Sequence, residues 1–186
     1  MEKIRCSWCE KDDLYRAYHD NEWGKPVYDD ETIFEFLVLE SFQAGLSWYT
    51  ILKKRENFKA AFDDFNYRKI AEYTDEKAAE LMQNSGIIRN RLKILATVNN
   101  AKRFLEVQKE FGTFSEYIWS FVNGKPIINH PQTLKDVPAT SEISDALAKD
   151  LKKRGFKFLG STVVYAHMQA TGMVNDHLIN CWVRNQ

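Results

Sequence analysis

Cys6 and His19 near the start of the chain, and His177 and Cys181 near its end, gather four metal-competent side chains into two tight groups. The whole chain of 186 residues holds only 3 Cys and 4 His. The i, i+4 spacing of His177 and Cys181 predicts both donors on one face of a helical turn. Thiolate sulfur and imidazole nitrogen are the donors that tetrahedral zinc prefers, and four protein ligands leave no open position for a reacting water. The chemistry expected is structural: one zinc ion clipping the two ends of the chain together. Cys9 forms a C-x2-C with Cys6, a spacing that is itself often a zinc pair, so it competes as a ligand. His130 and His167 carry no motif and are expected at the surface and in the core.

A second constellation sits between residues 15 and 48. Tyr15, Tyr18, Trp23 and Trp48 flank Glu40, which stands in the apolar run Leu37-Val-Leu-Glu-Ser-Phe42. A lone Glu in such a run ordinarily reaches back to solvent. The alternative is a pocket, where flat rings stack on a base and an acceptor-only carboxylate takes its N–H groups and offsets positive charge, a fit for a purine-like cation.

The third is Leu81-Met-Gln-Asn-Ser-Gly86-Ile-Ile-Arg-Asn-Arg-Leu-Lys93. It has the layout of a helix-hairpin-helix at about residues 76–108, with Gly86 allowing a turn of positive φ. Unpaired N–H groups at the start of the second helix are a natural seat for phosphate, and Arg89, Arg91 and Lys93 add full charges. An ordinary packing hairpin would have the same short signature.

The elements that must position these groups are helical. Asp29 and Asp30 can cap a helix carrying Phe34, Leu37 and Val38. Leu46 to Leu52 forms a second apolar stretch. Thr74 can cap a short helix broken by Gly86, and a longer helix from about Asn90 carries Leu95, Val98 and Leu105. Thr113 and Glu116 form a capping box. Ser141 opens a helix closed by Gly155, and a last helix spans about Ser161 to Thr171. Residues 125–130 alone have strand character, so the expected class is all-α. Hydrophobic residues make up 44% and charged ones 28%, ordinary for a globular domain. No apolar run is long enough to span a membrane, and no export signal precedes Cys6. Three Cys without such a signal point to the reducing cytosol, hence a cytoplasmic protein. A formal net charge of zero argues against tight nonspecific binding of nucleic acid through a global field, yet leaves room for local basic surface.

Longer strings carry a resemblance. Tyr18-His-Asp-Asn-Glu-Trp-Gly24, Gln43-Ala-Gly-Leu-Ser-Trp48, Leu52-Lys-Lys-Arg-Glu56, Gly86-Ile-Ile-Arg89, Trp119-Ser-Phe-Val-Asn123 and Lys152-Lys-Arg-Gly-Phe-Lys-Phe158 resemble the bacterial DNA-3-methyladenine glycosylase I (Tag) family, in register from Cys6 to Cys181. The resemblance implies a helix-hairpin-helix glycosylase fold in one bilobal domain, 1–186, with a cleft between two helical lobes. It implies a structural zinc on Cys6, His19, His177 and Cys181; the register favours Cys6 and leaves Cys9 a free thiol. It implies that Glu40 is the functional carboxylate contacting an extruded methylated adenine, with Tyr15, Tyr18 and Trp48 as its aromatic walls and Trp23 against or behind the base.

The expected activity is hydrolysis of the N-glycosidic bond of N3-methyladenine in double-stranded DNA after base flipping, by a monomer, with free 3-methyladenine as product. Gln43, Gly45 and Leu46 would fill the hole left in the duplex, and Gly86, Ile88, Arg89 and Lys93 would grip its backbone. Many helix-hairpin-helix glycosylases use an Asp soon after the hairpin; this chain has none between Asp75 and Asp136, so no general base is assigned. The rival from another class is a zinc-stapled helical module that binds DNA without catalysis.

Overall fold

The computed structural model describes residues 3–185. Ten α-helices make up most of it: α1 (Asp13–Asn21), α2 (Asp30–Gln43), α3 (Trp48–Lys53), α4 (Arg55–Ala61), α5 (Tyr67–Ala71), α6 (Asp75–Leu81), α7 (Arg91–Phe111), α8 (Phe114–Ser120), α9 (Glu142–Lys153) and α10 (Ser161–Ala170). Two residues each of β1 (Ile127–Ile128) and β2 (Val174–Asn175) pair in parallel, Ile127 opposite Val174. The expectation of an all-α chain therefore holds for the bulk and misses this bridge. Residues 125–130 did carry the strand signal, but a strand needs a partner, and this one lies far away in sequence. No helix among the described residues is long and apolar enough to cross a membrane.

Helix α2 is the axis. From Ile33 to Phe42 it is buried almost all round except at Glu35, the pattern of a helix enclosed by others rather than lying on a surface. It packs on α3, α7, α8 and α10. Phe34 meets Phe104 of α7 edge-on at 5.1 Å between ring centres, and Phe42 meets Phe58 of α4 at 4.8 Å.

The helix starts are specified by capping side chains, each satisfying an orphan N–H. Asp12 accepts from Tyr15 N, Asp29 from Thr32 N, Ser47 from Thr50 N, and Asn90 from Lys93 N. Thr113 and Glu116 form the expected box. Asp30 does something the sequence did not suggest. Its carboxylate accepts from the Phe114 and Ser115 amides at 2.8 Å each, so the start of α2 caps the start of α8. Asp12 also accepts from the Tyr49 hydroxyl, tying α1 to α3.

The helical turn expected at His177–Cys181 is absent. That segment follows β2 as an irregular stretch and a turn, closed by the Cys181 amide on the Leu178 carbonyl at 2.8 Å. His177 is held by its own partners, the amide on Asn175 Oδ1 and the ring on the Trp23 carbonyl. The i, i+4 spacing brought the donors together through a turn instead of a helix.

Candidate active site and metal centre

Four elements meet at a cavity of about 280 Å³. Helix α1 supplies Tyr15 and Tyr18, α2 supplies Glu40 and Gln43, the first residue of α3 is Trp48, and α10 supplies Ala166 and Gln169. Trp8, Trp23 and Asp176 complete the lining with Leu134 and Val137. The rings brace one another. Tyr18 and Trp48 lie 5.3 Å apart, Trp8 and Tyr15 4.9 Å, Trp8 and Trp23 5.0 Å. Such contacts fix ring planes and so define a slot.

Glu40 is only 3% exposed, and its Oε2 has no hydrogen-bond partner. Burial alone pushes its pKa well above the ordinary carboxylate value. A carboxyl without a cation, in a cavity walled by rings, destabilises the fold it sits in. Groups held in that state cluster at functional sites, where a ligand supplies what the protein withholds. The cavity thus offers flat apolar walls and one acceptor poised for a flat ligand rich in N–H groups or positive charge.

The lining also holds residues the sequence reading missed. Asp176 is buried and accepts from the Tyr165 hydroxyl at 2.7 Å, Asn129 Nδ2 at 2.7 Å and Gln169 Nε2 at 2.9 Å. Its neighbourhood to His177 was the only available signal. Trp8 lies in a 3-10 turn with no helical period to mark it.

Beside the cavity, ligand atoms of Cys6, His19, His177 and Cys181 lie within 4.8 Å of one another, all buried. Cys181 Sγ is 3.5 Å from His19 Nε2 and 3.5 Å from His177 Nδ1; Cys6 Sγ is 3.8 Å from His177 Nδ1. Zinc–sulfur and zinc–nitrogen bonds of about 2.3 and 2.0 Å give tetrahedral edges of roughly 3.3–3.8 Å, which these three pairs match while the widest pair would close by about 1 Å around an ion. The outer nitrogens agree. His19 Nδ1 faces Asp20 at 2.8 Å and His177 Nε2 faces the Trp23 carbonyl at 3.0 Å. Each acceptor fixes the tautomer that turns the other nitrogen to a metal. The Cys181 thiol is pulled far down by its hydrogen bond with Cys6, then by His177 and His19, against the effect of burial. Cys9 stands apart: its thiol donates to the Cys6 carbonyl at 3.1 Å, and burial raises its pKa to about 12. The cavity and the cluster share a wall. Trp23 lines the cavity and meets the His177 ring edge-on at 4.6 Å, while Tyr18 and His19 are consecutive on α1.

A third region joins α6 to α7. The turn carries Gly86, half-buried Ile88 and exposed Arg89. Gly86 does not take the positive φ expected of it. A Cβ there would sit 3.0 Å from Asn84 Oδ1 and 3.2 Å from Asn57 Cβ, so a side chain would have to push these neighbours back by a few tenths of an ångström. Its amide is also taken, by Asn84 Oδ1 at 2.8 Å. Lys93 corrects a second expectation. It is 6% exposed and its Nζ donates to the Phe42 and Ala44 carbonyls at 2.8 and 2.7 Å. An ammonium committed to two carbonyls at the end of α2 is not free for a phosphate. The turn leaving α2 presents Ala44, Gly45 and Leu46 to solvent, Gly45 at φ +81°.

Against known proteins, the family model of methyladenine glycosylases matches residues 8–185. The chain is 49% identical over 177 residues to DNA-3-methyladenine glycosylase 1 of Escherichia coli, covering 95% of each. It is 51% identical to DNA-3-methyladenine glycosylase of Haemophilus influenzae over 177 residues, 95% of this chain and 96% of that one. Its structure superposes with a TM-score of 0.95 on a tyrosine-to-phenylalanine variant of 3-methyladenine DNA glycosylase I in complex with 3-methyladenine, at 40% identity and 98% coverage of both chains.

Proposed function

The chain belongs to the methyladenine glycosylase family, and from that premise we infer that it hydrolyses the N-glycosidic bond of N3-methyladenine in alkylated DNA, opening base-excision repair. The observation that carries this is Glu40: a buried carboxylate, one oxygen unpartnered, in an aromatic slot. A methyl group on N3 makes the base a cation. When the bond from C1′ to the base breaks, its electron pair goes to the ring and the base departs neutral. Water adds to C1′ and releases a proton to solvent. No acid need protonate the leaving group, which fits a site with no charged donor aimed into it.

Recognition then carries most of the work. An extruded base costs a few kcal/mol to unstack, less when damaged. Tyr15, Tyr18 and Trp48, with Trp23 behind, stack on it. The cationic base draws Glu40 into its ionised form by supplying the missing positive charge. The ionised carboxylate then accepts the base's N–H groups and adds negative potential near the sugar cation that develops.

The same reading assigns the chain a helix-hairpin-helix glycosylase fold, one bilobal domain of residues 1–186 acting as a monomer on double-stranded DNA. Support comes from the α6–turn–α7 unit, with Arg89 exposed beside the start of α7. Gln43, Gly45 and Leu46 leave α2 next to the cavity, and Leu46 is exposed enough to serve as an apolar wedge. Cys6, His19, His177 and Cys181 would hold one zinc ion with all four positions filled by protein, a structural role. That clip fixes α1, hence Tyr18. Buried thiol ligands suit the reducing cytoplasm, the compartment this reading gives the enzyme.

The test is incubation of the zinc-loaded protein with methylated duplex DNA and chromatography of the released bases. Free 3-methyladenine is expected. Tight binding of the DNA with no base released would leave only a DNA-binding module.

A further inference from the structure

Lys93 occupies the third position of α7, where the helix end is itself positive and a cation is least favoured. Its neighbour Leu92 is 68% exposed while Lys93 is 6% exposed, the reverse of what the two side chains prefer. Something must compensate for that inversion. The ammonium runs inward to the end of α2 and donates to the carbonyls of Phe42 and Ala44. Carbonyls in the last turn of a helix lack intrahelical partners and form its negative pole.

The turn that Ala44 opens has little else to hold it. The Ala44 N–H, at the end of α2, donates to no helix carbonyl. Ala44, Gly45 and Leu46 are exposed, and no atom lies within 4 Å of where a Gly45 Cβ would be. Apart from the Leu46 amide on the Gln43 carbonyl at 2.6 Å, the bond from Lys93 to the Ala44 carbonyl is the turn's described hydrogen bond to another element, and the bond to Phe42 anchors the same ammonium to the last turn of α2. Lys93 also shares a turn with Asn90, whose side chain caps α7 through the Lys93 amide at 3.1 Å.

We propose that Lys93 is a positioning residue that locks the Gln43–Leu46 turn to the first turn of α7, so that the wedge and the phosphate-gripping hairpin enter DNA as one rigid unit. The proposal rests on the glycosylase reading and deepens it: Lys93 sets where Leu46 stands relative to Arg89 without touching the nucleic acid. It also accounts for a lysine, because a compact ammonium with three rotatable donors can serve two carbonyls at a helix end.

Lys93→Met and Lys93→Gln in the full-length, zinc-loaded chain test it. Excision from methylated duplex DNA is expected to fall about 10- to 100-fold in kcat/KM, the scale of a misplaced group. Affinity for free 3-methyladenine should stay within about twofold, since Tyr15, Tyr18 and Glu40 stand on α1 and α2 and Trp48 is held by the Ser47 cap of α3. The dependence of abasic-DNA affinity on salt should keep the wild-type slope. A slope shallower by about one would mean a lost phosphate contact and overturn the proposal. So would wild-type excision in both variants, or equal loss of free-base binding. Should the variants not fold, nitrogen-15 spectra of the wild-type lysine ammonium groups decide. A slowly exchanging Lys93 signal coupled to the Phe42 and Ala44 carbonyl carbons is expected, and its absence refutes the lock. If the wild-type protein releases no base at all, the glycosylase reading fails, and this signal still decides the role of Lys93.

Discussion

Replacing Glu40 by Gln should make the unliganded protein more stable, and the gain should depend on pH. In the unfolded chain Glu40 titrates near its ordinary 4.5; in the fold, burial moves it well above that. Below the ordinary value both states carry the proton, and the group adds no pH dependence. As pH rises, the unfolded state releases its proton first, so folding loses stability until the folded pKa is passed and levels off above it. The magnitude comes from the ionised form, which Gln cannot take: leaving a buried polar group unsatisfied costs about 1–3 kcal/mol, and a charged one no less. Glu40→Gln should therefore match wild type near pH 4.5 and exceed it by about 1–3 kcal/mol at pH 8. For a chain of this size that is roughly 2–4 °C in Tm per kcal/mol. Urea denaturation of both proteins across that range, with zinc saturating, measures it. Added 3-methyladenine should stabilise the wild type more than the variant, because an acceptor-only carboxylate can take the base's N–H groups at both oxygens whereas an amide presents an NH2 to them. A variant equally or less stable at pH 8, with no pH-dependent gap, would show that Glu40 is satisfied in the fold and refute the reasoning.

Other expectations follow from single groups. His167 is buried with both ring nitrogens unpartnered, and burial lowers its pKa from 6.5 to about 3. The unfolded chain therefore takes up the proton first as pH falls below 6.5. Stability should drop by about 2 kcal/mol at pH 5, a loss that His167→Met should largely abolish in urea melts. Metal analysis should find one zinc per chain in wild type and in Cys9→Ser, and a loss of zinc in Cys6→Ser and Cys181→Ser. Arg89→Ala should weaken binding to abasic DNA and lower the salt slope by about one, whereas no change in slope would remove Arg89 from the phosphate contacts.

What the residues disclosed in advance depended on range. The metal donors were legible because rare residue types at fixed spacing need no knowledge of the path between them, and the path indeed differed, a turn standing where a helix was expected. Helix starts were legible through short-range caps such as Asn90 and Thr113. Asp176 and Gln169 were not, since their role arises from α10 and the segment after β2 folding against α2. Lys93 was misread because charge along a sequence has no direction; only packing reveals that Leu92 faces out and Lys93 faces in. The bridge from Ile127 to Val174 was missed for the same non-local reason.

Trp23, edge-on to His177 on one side and lining the cavity on the other, limits how such an enzyme can drift. Any change that widens or narrows the slot from that direction presses on the Cys6, His19, His177 and Cys181 cluster behind it. Divergence toward other damaged bases has more room on the far side, where α2 and α10 line the cavity through Gln43 and Ala166, away from the four clustered donors.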